Sequence, residues 1–203
     1  MSRSTTEAIN SYLTDMLALE EHILVAITAQ VKDFNDEAQV LVVALDTIQV
    51  TAEQHVTSLK EIIQERNAGA ANSIAEAVKR AASVLAGAGA AAVDLVRTEK
   101  LPKNLRDDYT AFSLATVSYV MLLTAAKSLN DQPVAELAER HLKHYTKVVM
   151  KLNNILPSAV IAELRDEGLP AQEGQLPAIA QTLKGVWSDP YNEVPEVDEV
   201  SVA

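Results

Sequence analysis

The feature that most constrains this chain is an uncharged stretch from Tyr109 to Ala126, which stands among three other long segments with a helical pattern. A helix that carries no charge on any face is expected to be buried by its neighbours. The stretch therefore predicts the innermost helix of a four-helix bundle. Hydroxyl groups recur on nearly every turn, at Thr110, Ser113, Thr116, Ser118, Tyr119 and Thr124. They favour a core helix of a soluble protein over a membrane span, which needs about 20 apolar residues.

The remaining segments place apolar residues at spacings of three and four, as amphipathic helices do. The four predicted helices lie at about residues 5–32, 36–66, 105–129 and 134–155. Asp36 and Gln39 resemble a capping box at the start of the second helix. Leu156-Pro157 is expected to end the fourth helix, because proline lacks the backbone N–H of a helix interior. Short loops make the first and second helices, and the third and fourth, antiparallel pairs.

Residues 67–104, rich in Ala and Gly, separate the two pairs. Two antiparallel pairs joined by one long crossover form the connection pattern of ferritin-like bundles. The sequence therefore predicts an all-α, ferritin-like four-helix bundle over residues 1–156, short C-terminal helices over 157–187, and an acidic tail over 188–203.

Composition excludes several classes of function. Cysteine is absent, which excludes disulfides, thiolate metal sites and a cysteine nucleophile, and is compatible with a reducing cytoplasm. The N-terminal residues show no apolar run behind a basic region, so no export signal is expected and we predict a cytoplasmic protein. The net charge of −11 argues against a nucleic-acid partner, because neutralising phosphates requires clustered Lys and Arg.

Polar residues interrupt three of the apolar stripes. Glu20 falls in phase with the stripe of the first helix, His55 with that of the second and His141 with that of the fourth, and His144 lies one turn on at the edge of the same stripe. A carboxylate and histidines that project into a bundle are the ingredients of an iron or manganese site. We name these four residues as candidate metal ligands.

Two observations favour a structural interpretation of the same residues. A buried histidine is commonly satisfied by a hydroxyl or a carbonyl group, and Tyr119 and Tyr145 are available partners. The Glu-x-x-His motif of two-metal bundles is absent from the chain, and the third helix supplies no carboxylate between Tyr109 and Ala126. The sequence therefore predicts no competent two-metal centre.

The segment from Tyr12 to His22, YLTDMLALEEH, and the segment from Thr51 to Leu59, TAEQHVTSL, resemble bacterial ferritin-like proteins that are described as stress-associated and of unknown function. The resemblance covers about residues 5–155. It implies the ferritin-like fold, an acidic residue about where Glu20 stands, and a polar pattern about where Thr51 and His55 stand. Where that family has His and Glu in the third helix, this chain has Phe-Ser-Leu-Ala at residues 112–115.

Two hypotheses of function follow. The preferred one is a ferritin-like bundle without a two-metal centre or other cofactor, more a binding protein than an enzyme. It would act through self-assembly or partner binding, in stress response, with the acidic tail as a possible docking segment. The alternative is an atypical metal-binding oxidoreductase or iron-handling protein that uses Glu20, His55, His141 and His144 for iron or manganese. Excess apolar residues on the first two helices, such as Leu19, Val25 and Val42, predict a homo-oligomer.

Overall fold

We describe a computed structural model of the chain, which covers residues 4–33, 39–66 and 101–193, with side chains at 4–32, 45–66 and 101–188. This part of the chain forms five α-helices and a short 3-10 helix, and it contains no strand. The helices are α1 Thr5–Asp33, α2 Gln39–Arg66, α3 Leu101–Ser128, α4 Gln132–Asp166 and α5 Leu176–Glu193, with the 3-10 helix at Glu173–Gln175. The all-α prediction is confirmed for these residues. Asp36 and residues 67–100 of the predicted crossover lie outside them, whereas residues 101–104, which were predicted to belong to the crossover, lie in α3.

Local sequence determines where α1 begins. The Ser4 hydroxyl accepts the Glu7 N–H at 3.1 Å, and the Glu7 carboxylate accepts the Ser4 N–H at 2.8 Å. This reciprocal pair is a capping box, which satisfies two N–H groups that the first turn of a helix leaves without partners.

A tight turn separates α3 from α4. Asn130 adopts a left-handed conformation with φ 57°, the Asp131 N–H bonds to the Ala126 carbonyl and the Asn130 N–H to the Lys127 carbonyl. Those two bonds define a Schellman motif at the end of α3. The Asp131 carboxylate then accepts the Val134 N–H at 3.4 Å and so caps α4. The turn makes α3 and α4 antiparallel neighbours, as the loop length predicts.

Polar contacts near the two ends of the bundle reveal how the helices run. Arg66, which ends α2, bonds to Asn10 near the start of α1 at 2.8 Å and to Asp131 after α3 at 2.6 Å. Gln30 near the end of α1 bonds to Asp108 near the start of α3 at 2.8 Å. α1 is therefore antiparallel to both α2 and α3, and α2 and α3 are parallel to each other.

The chain divides into two compact units, Met1–Leu152 and Asn153–Ala203. The first unit contains α1, α2, α3 and the first half of α4, whose inward faces form an apolar core. The largest fully buried side chains are Tyr119, Tyr145, Phe112, Ile9, Leu13, Leu17, Ile23, Ile27, Leu45, Ile48, Leu59 and Leu105. Leu19 also lies in this core, so it does not belong to the excess apolar surface that we predicted from α1. Val25 is 70% exposed, and the side chain of Val42 lies outside the described residues.

The uncharged helix α3 is not the innermost one. Its buried positions, among them Phe112, Ala115 and Tyr119, recur at helical spacing on one face. The opposite face exposes Leu114, Val117 and Met121, each by half or more. By length and composition α3 could cross a bilayer, but one such helix is weak evidence, because a core helix of a bundle passes the same test.

The second unit departs from the predicted boundaries. α4 continues through Pro157 to Asp166 and does not end at Leu156-Pro157. A proline removes one helical hydrogen bond, and the bonds on either side keep this helix continuous. Gly168, with φ 80°, ends the helix in a second Schellman motif. α5 extends to Glu193, which places the first residues of the predicted tail in a helix.

Asp108 is a buried acid that lacks a full set of partners. It is 1% exposed and accepts one bond from Gln30, while its second oxygen and the Gln30 carbonyl oxygen have no donor. Burial raises the pKa of Asp108 from 3.8 to about 7; the Gln30 bond opposes the rise and the Asp107 charge adds to it. The native state therefore holds a proton that the unfolded chain has released above about pH 4.

This pKa predicts a stability that falls with pH. The stabilising contribution of the protonated Asp108 is fully present below about pH 4 and is lost as the pH rises to about 7, which amounts to on the order of 4 kcal/mol. Asp108→Asn cannot ionise, and its amide can donate to the Gln30 oxygen. We expect the variant to gain about 2 kcal/mol relative to the parent protein between pH 5 and pH 8 in urea unfolding. Asp46→Asn, at an exposed position on α2, is the control. The prediction would be contradicted if Asp108→Asn and the parent protein differed in free energy of unfolding by the same amount at pH 5 and at pH 8.

Candidate functional site

A carboxylate stands at the centre of the first unit and receives hydrogen bonds from three other helices. Glu20 on α1 is fully buried. One carboxylate oxygen accepts bonds from the Tyr119 hydroxyl on α3 and from His55 Nδ1 on α2, the latter at 3.1 Å. The other oxygen accepts a bond from the Tyr145 hydroxyl on α4. The burial of Glu20 that its phase predicts is confirmed, and its negative charge is satisfied by three donors.

Two more histidines extend this network. The Tyr119 hydroxyl oxygen lies 2.8 Å from His141 Nδ1, and His55 Nε2 lies 3.0 Å from His144 Nδ1. The His55 and His141 rings are stacked, with centroids 3.7 Å apart and planes at 2°. The polar cluster therefore consists of Glu20, His55, Tyr119, His141, His144 and Tyr145.

The chemistry of the donors assigns the protons in this cluster. A carboxylate only accepts, so Tyr119, Tyr145 and His55 Nδ1 all donate to Glu20. Because Tyr119 uses its single proton in that bond, its oxygen accepts from His141 Nδ1–H. The Nε2 atom of a neutral His141 then retains its lone pair. Each tautomer follows from the neighbours of the ring.

The environment keeps several of these groups neutral. Burial lowers the pKa of His141 to about 2, and the neighbouring side chains of His55, Arg140 and His144 act in the same direction. Burial and His55 also lower the pKa of His144, which is only partly buried. For Tyr119 and Tyr145, burial and the Glu20 charge raise the pKa of the phenol well above 10. His141 is therefore neutral at physiological pH, which is the form that binds metal ions.

Three members of the polar cluster are arranged so that they can share an ion. Glu20, His55 and His141 are all buried, and each offers a ligand atom within 4.8 Å of the other two. Ligand atoms about 2.1 Å from one tetrahedral ion are roughly 3.4 Å apart, so the three side chains would have to move closer together to hold one ion. Two divalent cations would need more carboxylates than this one. The donor set therefore fits a single ion and does not fit a pair.

The structure brings together all four residues that the sequence analysis named. Glu20, His55 and His141 lie in the core, and His144 lies at its edge in contact with His55. Next to Glu20 in the sequence, Glu21 pairs with Lys60 at 2.7 Å, and His22 is exposed.

The role of the two tyrosines as donors to Glu20 was not predicted from the sequence, which suggested them only as partners of the histidines. The buried pair of Gln30 and Asp108 was not predicted either. Both residues fall in phase with apolar neighbours, Gln30 with Ile27 and Asp108 with Phe112, so the same phase argument that found Glu20 could have found them.

The hydrogen bonds to Glu20 predict how substitutions there affect stability. Glu20→Leu leaves Tyr119, Tyr145 and His55 without an acceptor, at about 1 to 3 kcal/mol for each donor. Glu20→Gln keeps one acceptor oxygen, so we expect it to be more stable than Glu20→Leu by about 2 kcal/mol or more. Urea unfolding in the presence of a chelator measures the difference. Equal stability of the parent protein and both variants would show that the network contributes nothing.

Comparison with known protein families identifies the family of this chain. The family model described as a domain of unknown function, DUF892, matches residues 5–165, a range that includes every residue of the polar cluster. A search of the curated proteins and a search of the solved structures each gave no match. Because the matched range covers most of the chain, the protein belongs to the DUF892 family.

Proposed function

We propose that this protein is a ferritin-like helical-bundle protein of the cytoplasm that binds one transition-metal ion, and not two, in its core. The observation that carries the proposal is the convergence of Glu20, His55 and His141 from three helices, all buried, with ligand atoms within 4.8 Å of one another. The parallel arrangement of α2 and α3, joined by a long connection, supports the ferritin-like assignment. A role in stress response is part of the proposal through the family resemblance.

The type of donor indicates the type of ion. Two imidazoles and one carboxylate match the ligand set of non-haem Fe(II) sites, and imidazole also suits other first-row metals. An ion held there supplies Lewis acidity or one-electron redox chemistry. Tyr119 would orient His141 by accepting its Nδ1–H at 2.8 Å, the outer-shell contact that fixes a metal-binding histidine. His144 is the member of the polar cluster nearest to solvent.

Metal analysis tests this proposal. We expect protein purified without a chelator, or treated with Co²⁺ and then dialysed, to hold about one ion per chain. Glu20→Ala and His141→Ala should each strongly reduce the metal content per chain, because each removes one of three protein ligands. His22→Ala, which removes an exposed histidine on the same helix as Glu20, is the matched control. A content near two ions per chain, or one that the two core variants leave unchanged, would contradict the proposal.

A second function, self-assembly, is favoured by the outward face of α3. Leu114, Val117 and Met121 are 50%, 59% and 50% exposed, and no charged residue lies between Tyr109 and Ala126. Leu114 and Met121 also line a shallow groove against Met16 of α1. A contiguous exposed apolar surface of this kind usually marks a site of interaction with another molecule. We propose that this face takes part in an oligomer.

A charge placed on that face tests the second function. Val117→Glu should reduce the mass measured by sedimentation or light scattering at micromolar concentration, because an interface core disfavours an unpaired charge. Val50→Glu, at a valine on α2 that is 51% exposed, controls for the general effect of an added acid. A monomeric parent protein would overturn the self-assembly proposal, and an unchanged oligomer in Val117→Glu would exclude this face.

A further inference from the structure

We propose that Tyr119 and Tyr145 hold the Glu20 carboxylate in a closed, hydrogen-bonded state that competes with metal binding, so that these two phenols set the metal affinity of the core. This inference rests on the proposed function. It concerns two side chains of this chain other than the three proposed ligands, Glu20, His55 and His141.

Most acceptor sites of the Glu20 carboxylate are already occupied. Both of its oxygens already accept hydrogen bonds, one from Tyr119 and His55 and the other from Tyr145. The positive ends of these O–H and N–H dipoles point at the carboxylate, where a cation would bind. Three of the roughly four lone-pair positions of the carboxylate are filled, and a cation at the fourth faces the positive ends of these donors unless one of them is displaced or redirected. The free energy of the broken bond is subtracted from the binding free energy of the ion.

The magnitude follows from the type of bond. A hydrogen bond between a neutral donor and a charged group contributes enough to change a binding constant by about tenfold or more. Removal of a phenol hydroxyl leaves the Glu20 oxygen without that donor in the metal-free protein, which makes the metal-free state less favourable. If the phenol is already displaced from Glu20 in the metal-bound state, removal of its hydroxyl does not destabilise that state. The variant should then bind metal more tightly while its metal-free form is less stable.

The two tyrosines differ in how directly they test this. The Tyr119 hydroxyl also contacts His141, so its removal alters a proposed ligand as well as Glu20. Among the described residues, the Tyr145 hydroxyl bonds to Glu20 alone. Its ring packs against Phe112 at 4.9 Å and His55 at 4.5 Å between centroids, contacts that phenylalanine keeps. Tyr145→Phe therefore removes one hydrogen bond and preserves the packing.

The experiment is a Co²⁺ titration of the full chain, followed by visible absorption and calorimetry, for the parent protein, Tyr145→Phe and the control Tyr109→Phe on α3. We expect Tyr145→Phe to bind Co²⁺ about tenfold or more tightly than the parent protein and, when free of metal, to unfold at a lower urea concentration. Tyr109→Phe should match the parent protein in both measurements. Unchanged or weaker Co²⁺ binding by Tyr145→Phe would overturn the inference, and weaker binding would identify the phenol as a ligand.

The outcomes separate this inference from the proposed function. Binding by Tyr145→Phe but not by the parent protein would support the closed state and refute metal binding by the natural chain. Binding by neither would refute both. If Tyr145→Phe is largely unfolded, the same titration in sucrose, which favours the folded state, decides, and tighter Co²⁺ binding is again the expected result.

Discussion

The hydrogen bonding of Glu20 is the interaction on which the rest of the first unit depends. A buried charge without partners is strongly destabilising, and Glu20 avoids this only because α2, α3 and α4 each deliver one donor to it. Side-chain lengths are fixed, so the three donors reach the carboxylate at only one axial position of each helix. A shift of any helix by one turn, about 5.4 Å, would remove its donor and leave the carboxylate short of partners. The polar cluster thus specifies the helix register that the apolar core, being non-directional, does not specify.

The contacts near the ends of the bundle also relate the helices to one another, but they differ in how much they contribute to stability. Arg66 bridges Asn10 and Asp131 in a site that is partly open to solvent, where an ion pair contributes little. The pair of Gln30 and Asp108 is buried, and its two unpartnered oxygens become compatible when Asp108 carries a proton. The first contact is therefore expected to fix direction with little effect on stability, while the second makes stability dependent on pH. Together with the central carboxylate they define the antiparallel and parallel relations of the three helices.

The same side chains that stabilise the polar cluster are those that would bind a metal ion. His141 stays neutral because it is buried, and its Nδ1–H is directed to Tyr119, which leaves the other nitrogen as a potential ligand. Glu20 provides the only carboxylate of the group, which limits the site to one ion. Under the proposed function, a hydrogen-bonded core and a metal-binding core would be two states of one set of residues. The balance between them would then depend on how strongly the phenols compete for Glu20, which would connect the stability of the bundle to its proposed function.

The sequence by itself determined the all-helical fold and the inward placement of Glu20, His55 and His141, because helical periodicity reports which face of each helix is apolar and which polar residues fall on it. Only the tertiary structure decided which side chains meet across helices, so the phenol donors to Glu20 and the pairing of Gln30 with Asp108 emerged there. Whether α4 continues through Pro157 depends on whether the neighbouring helical hydrogen bonds compensate for the one that proline removes. The low helix preference of proline does not by itself reveal this. The uncharged face of α3 was predicted to be buried in its own bundle, yet Val117 is 59% exposed. Hydropathy shows that a face is apolar, and only the packed structure shows which neighbours, if any, cover it.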